Sequence, residues 1–218
     1  MLTTNETKGE LQEQKPSISH LLYICEISKV NPQGFFTFQD EVNYWKKHNN
    51  LLFNGLLINS ENYIIHLVEG STETLYHLVK LTEDLIKKNS TYFSGLTFPI
   101  FIQKISRTLF KNWTIISCEP FKNNEEDLEK YLPEVVSWSL YYNLVDIGSK
   151  YGHLNSLDIC KEIMKMPRIK KLFLKQKILK ILLSDKFPSL QDFIEVYVSP
   201  IDICVDSEMM WQEGLVFS

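Results

Sequence analysis

Two apolar runs separated by a three-residue polar turn constrain this chain more than any other feature. Residues 55–59, "GLLIN", and 63–70, "YIIHLVEG", are aliphatic and β-branched. The intervening "SEN" leaves room only for a tight reversal, so the pair is predicted to be a β-hairpin. A third run at residues 20–27, "HLLYICEI", is apolar at almost every position, the pattern of a strand buried on both faces. Strand periodicity puts Tyr63, Ile65 and Leu67 on one face of the hairpin and Ile64, His66 and Val68 on the other. An imidazole therefore stands where its neighbours are apolar, and residue by residue it reads as a core histidine bonded to a neighbour.

Helices fit between and after these strands. Phe38, Val42 and Trp45 recur at spacings of four and three within residues 37–49, one face of a helix for which Thr37 is a candidate cap. Ser71 and Thr72 are candidate caps of a second helix whose stripe is Leu75, Leu78, Val79, Leu81 and Leu85. A fourth strand is predicted at 98–106, "FPIFIQKIS", then the link "RTLFKNW" and a fifth strand at 114–117, "TIIS". The order β-α-β-β-α-β-β predicts a ferredoxin-like α+β sandwich, with two helices on one face of a mostly antiparallel sheet.

The pattern divides the chain into a flexible amino-terminal tail (1–18), the sandwich (19–120) and a helical carboxy-terminal extension (121–218). In the extension, residues 123–136 read as an acidic connector, 137–152 as a helix ended by Gly152, and 156–166 as a shorter helix capped by Ser156. Residues 168–184 form the strongest helical pattern, with Ile169, Leu172, Phe173, Leu179 and Leu183 on one side and six basic residues around the rest. It reads as the solvated face of a packed helix ahead of a membrane-surface or calmodulin-type segment, or a contact with an acidic partner such as tubulin. The apolar, irregular end from Phe193 onward calls for a surface to lie on.

A net charge of −4 gives no wide basic surface for nucleic acid. The four cysteines lie far apart, with no zinc spacing and no disulfide framework. No signal-peptide core and no apolar run of spanning length occurs, so an intracellular chain without a membrane span is expected. Dinucleotide, phosphate-loop, zinc-protease and nucleophile-elbow motifs are all absent, which predicts no catalytic residues, no metal and no enzyme activity. Glu69, beside a strand end, is expected to serve as a cap or turn residue.

The series "LLYIC", "NGLLI", "YIIHLVEG" and "RTLFKNW" resembles the BLUF domain, a flavin-binding blue-light sensor, over residues 20–118. Its usual pattern runs from L-x-Y-x-S, through a helix bearing asparagines, to T-G-x-L-x-Y, F-x-Q-x-L-E-G and R-x-F-x-x-W. The resemblance matches Tyr23 to the tyrosine that gives an electron to the excited flavin and Trp113 to the tryptophan near it. Counting back from Gly55, the ring-contacting asparagines fall on Lys47 and His48, and Asn49 and Asn50 match if the following loop is two residues shorter. His66 takes the place of the glutamine whose amide, both donor and acceptor, rearranges its hydrogen bonds in the photocycle. The expectation is a BLUF-like fold without photochemistry and without flavin. The alternative is a flavin-binding blue-light sensor with histidine in place of glutamine, and a third reading is a regulatory domain for a partner enzyme.

Residues 54–79, "NGLLINSENYIIHLVEGSTETLYHLV", are similar to the testis-expressed protein 47 family, a BLUF-derived group that also carries the histidine. That resemblance implies association with sperm and motile cilia. It leads to the expectation of a structural or docking role on the axoneme, in the cytoskeleton, with axonemal and microtubule-associated partners.

Overall fold

The computed structural model describes residues 17–28, 34–60, 62–89, 91–117, 132–165 and 176–199. Five strands and two helices come first: β1 (Ile18–Ile27), α1 (Gly34–His48), β2 (Phe53–Ser60), β3 (Tyr63–Gly70), α2 (Thr72–Lys88), β4 (Phe93–Ile105) and β5 (Trp113–Ser117). The expected element order is thus present. One sheet has the order β4-β1-β3-β2-β5. The pairs β1–β4, β1–β3 and β2–β3 are antiparallel, and β5 alone runs parallel to its neighbour β2. This is the ferredoxin-like α+β arrangement with one added edge strand.

The hairpin forms as its turn requires, with Ser60 opposite Tyr63 and Leu57 opposite His66. Within it Gly55 sits at φ +140°, and a Cβ there would lie 2.1 Å from the Leu67 carbonyl oxygen, so only glycine fits. On the first face of the sheet, Leu21, Tyr23, Cys25, Leu57, Ile64 and Val68 pack with Phe38, Val42 and Trp45 of α1 and with Leu75, Leu78, Val79 and Leu85 of α2. Both predicted stripes are therefore the buried stripes, except that Leu81 is only partly covered and Thr82 is buried in its row.

The opposite face explains why β1 is apolar throughout. Leu22, Ile24, Leu56, Ile58, Ile65 and Leu67 lie under α3 (Pro133–Tyr151), α4 (Ser156–Lys165) and α5 (Gln176–Leu182), meeting Leu140, Leu144, Ile147, Ile159, Leu179 and Leu182. The carboxy-terminal helices thus supply the second cover of a three-layer α/β/α body. A short helix α6 (Leu190–Phe193) continues into a π-helical turn, Ile194–Val198, and folds back so that Phe193 and Ile194 join the first core. Its start is fixed by a capping box between Ser189 and Asp192. The outer edge of β4 is not bare, because the Phe98 N–H donates to the Pro188 carbonyl at 2.9 Å and Thr97 bridges Ser189.

Several boundaries differ from expectation. Helix α1 begins at Gly34, which puts Thr37 inside it rather than at its cap. Ser71 does cap α2, accepting from the Thr74 N–H at 3.2 Å, so Thr72 is its first helical residue. Asn155 caps α4 instead of Ser156, its Oδ1 accepting the Asp158 N–H at 3.0 Å, because Ser156 is already the first helical residue. Strand β4 begins at Phe93 rather than Phe98, its added residues pairing with the far end of β1. Helix α3 begins at Pro133, where proline suits the first turn, and ends at Gly152 as expected. Of the basic segment, residues 168–175 lie outside the described residues, while α5 buries Ile178, Leu179 and Leu182 and exposes Lys180. The expected irregular end is helical as far as Val198; residues 200–218, residues 1–16 of the tail and residues 118–131, which hold most of the expected connector at 123–136, lie outside the described residues, while the last four connector residues open α3.

Candidate functional site

Tyr23 and His66 meet because β1 and β3 pair antiparallel in the register that sets them opposite each other. Strand alternation turns both toward α1 and α2. Trp113 opens β5 beside Gly55 and reaches the same place from the parallel edge. His66 is fully buried and has a hydrogen-bond partner at each ring nitrogen: Nδ1 lies 2.6 Å from the Tyr23 hydroxyl, and Nε2 lies 2.9 Å from the Trp113 indole nitrogen.

These contacts fix the protonation pattern. An indole N–H can only donate, so His66 Nε2 must accept, and the one proton of the neutral ring belongs on Nδ1. His66 Nδ1–H therefore donates to the Tyr23 hydroxyl oxygen. The ring is held neutral as well, since burial and the nearby Lys46 ammonium push its pKa down to about 3. Burial also raises the Tyr23 phenol well above its usual range, with a smaller contribution from Cys25, which keeps the phenol neutral.

A glutamine amide can turn over and exchange its donor and acceptor ends. Turning this imidazole over about χ2 would instead bring carbon atoms to both partners and break both bonds. The triad is therefore a fixed polar brace between β1, β3 and β5, not a switch.

Asn49 and Asn50 stand elsewhere. Both are exposed in the turn after α1, where the Asn49 N–H closes the helix on the Trp45 carbonyl at 2.8 Å and Asn50 takes φ +51°, a left-handed exit that asparagine tolerates. Lys46 is the α1 residue that brings a charge to the triad. Its ammonium donates to the Phe53 carbonyl at 2.6 Å and lies over the Phe53 ring at 4.2 Å and the Trp113 ring at 5.6 Å. Burial lowers its pKa. Sequence reasoning missed it, although a position four residues after Val42 lies on the same helical side.

Beside Tyr23, between α1 and α2, the described residues pack closely. A cavity of about 10 Å³ is left among Tyr23, Cys25, Phe38, Ile64, Thr82 and Phe93, room for about one water. A pocket for a cofactor-sized ligand is on the order of 300 Å³ or more. The residues at this place do not fit a flavin ring. Among the described residues, no group of three His, Cys, Asp or Glu side chains could hold a metal ion, and no helix is long and apolar enough to cross a membrane.

A second buried network lies on the other face. Glu69 accepts the backbone N–H groups of Leu109 at 2.7 Å and Phe110 at 2.6 Å, and its Oε2 is 3.4 Å from His20 Nε2. His20 Nδ1 is 2.8 Å from the Tyr141 hydroxyl on α3. Glu69 thus serves as a cap, as expected, but for the loop of residues 107–112, forty residues away in the chain. That loop is also the bed of α3: a Cβ on Gly148 would approach Leu109 Cβ to 2.8 Å and the Phe110 ring to 2.9 Å.

A family model described as testis-expressed protein 47 matches residues 20–199, which includes both networks and helices α3 to α6. The chain belongs to the testis-expressed protein 47 family. Its membership covers the sheet and its carboxy-terminal cover alike. Solved structures similar to this family member include BLUF proteins. BlsA in its photo-activated state is 16% identical, covering 76% of this chain and 91% of BlsA, with a TM-score of 0.38. BlrB in its dark state is 13% identical, covering 48% of this chain and 74% of BlrB, with a TM-score of 0.37. The BLUF domain of BlrP1 is 12% identical, covering 69% of this chain and 89% of that chain, with a TM-score of 0.37. Identities and scores this low carry no residue roles across.

Proposed function

We propose that this testis-expressed protein 47 family member is a non-enzymatic docking component of a motile cilium or flagellum axoneme, built on a BLUF-like domain that works without flavin. The observation that carries the reading is the locked Tyr23–His66–Trp113 brace beside a space of about 10 Å³. A light sensor needs a bound ring and a side chain able to exchange donor and acceptor, whereas this arrangement supports rigidity. The family's description ties it to testis, which favours the sperm flagellum as the setting and axonemal, microtubule-associated proteins as partners. Localisation of a tagged full chain in flagellated cells tests the reading. Axonemal signal that survives detergent extraction is expected, and diffuse signal removed by detergent would overturn it.

A further inference from the structure

Along the β4 edge, where α3 and α6 approach each other, lies a groove of about 260 Å³ that none of the three brace residues lines. Its floor is Phe98 and Phe193, both buried and stacked at 4.6 Å between ring centroids. Its walls are aromatic and open to solvent. Trp138 is 41% exposed on α3 and Tyr197 is 43% exposed on the π-helical turn. Pro99 and Pro188 are among the other lining residues, and Tyr142, one helical turn past Trp138 and stacked on it, extends the aromatic surface outward. The Trp138 indole N–H and the Tyr142 and Tyr197 hydroxyls make no hydrogen bond to another described residue. Exposed flat ring faces are apolar surface left to water, and with donors at their rims they fit a specific kind of ligand.

We propose that this groove docks an extended, proline-rich, basic segment of a partner protein. Three features select that chemistry. Proline rings pack flat against indole and phenol faces, and a polyproline II chain has no internal hydrogen bonds, so its carbonyls are free to accept from the indole and hydroxyl donors. The elements around the groove are also net acidic. Residues 98–101, 133–142 and 185–198, which build it, carry Glu134, Asp185, Asp192 and Glu195 against Lys186. Glu134 lies in the lining itself. Charge complementarity therefore favours arginine or lysine beside the prolines. The same argument disfavours the chain's own end as occupant, because residues 200–218 bear Asp202, Asp206, Glu208 and Glu213 and no lysine or arginine.

The inference deepens the docking reading and rests on it, by giving the chemical class of one partner. Its test reads binding in solution and is independent of localisation. The full chain is titrated into a fluorescein-labelled proline-rich peptide of about a dozen residues, long enough to span a helix-sized groove, with two arginines at one end, and anisotropy is followed. Saturable binding is expected, weakened at least about tenfold by Trp138→Ala and by Tyr197→Ala, as for an aromatic anchor at the centre of a contact. Glu134→Lys should weaken the arginine peptide and not a version with glutamates in the arginine positions. Thermal unfolding of each variant reports whether it folds. Should Trp138→Ala fail to fold, the exposed Glu134→Lys substitution carries the test by itself. No saturable binding by the full chain, or equal binding by all variants, overturns the proposal. So does a dimer in light scattering that Trp138→Ala dissociates, which would make the groove a contact between copies of this chain.

Discussion

Replacing His66 by glutamine should flatten the acid dependence of stability, and the size of the effect follows from its burial. The folded ring has a pKa of about 3 against 6.5 for a free histidine, first because it is desolvated and second because of Lys46. Above about pH 6.5 both folded and unfolded chains carry a neutral ring, and the group contributes no pH dependence. As pH falls below that value the unfolded chain takes up a proton that the folded chain refuses, so stability declines until the folded ring itself titrates near pH 3. The full loss is about 5 kcal/mol, of which about 2 kcal/mol has appeared by about pH 5. Urea unfolding of wild type and His66→Gln at about pH 7.5 and pH 5 measures it. Carboxylates and other histidines contribute equally to both proteins, so the wild type should lose about 2 kcal/mol more than the variant between the two conditions. Equal losses would refute the picture of a neutral, desolvated imidazole.

Other expectations concern the two networks. Nitrogen-15 spectra should show His66 as the Nδ1–H tautomer at neutral pH; a protonated Nε2 would mean that Trp113 does not donate to it. Tyr23→Phe removes the acceptor for a buried Nδ1–H and should cost about 1–3 kcal/mol in denaturant unfolding. Glu69→Ala strands the N–H groups of Leu109 and Phe110 and should cost about 2–5 kcal/mol, with faster hydrogen exchange at those two amides as the local readout. Gly148→Val pushes α3 off Leu109 and Phe110 and should destabilise by about 1–3 kcal/mol, lowering the melting temperature.

The sheet and its first cover were legible because strand and helix periods are local. The three-residue turn forced the hairpin, and Phe38, Val42 and Trp45 marked the face of α1. His66 was legible as buried for the same reason. Its partners were not read from periodicity, since they depend on the register between β1 and β3 and on β5 returning parallel to β2. The direction of β5 is not encoded in its own alternation. It is set by the loop of residues 107–112, whose conformation Glu69 holds from across the sheet. The unbroken apolar run in β1 did announce a second cover, but which helices supply it depends on contacts such as His20 with Tyr141 that join residues 121 apart. The asparagines misled because residue type was matched to a family pattern, while the helical phase of α1 points Lys46 inward and leaves Asn49 and Asn50 in the exit turn.

The central claim is that a BLUF-like sheet here is braced by His66 and works without flavin. The absorption spectrum of the purified full chain, before and after equilibrium dialysis against flavin mononucleotide and flavin adenine dinucleotide, tests it most directly. A colourless protein that retains neither flavin is predicted, whereas a yellow protein holding stoichiometric flavin through dialysis would contradict the account.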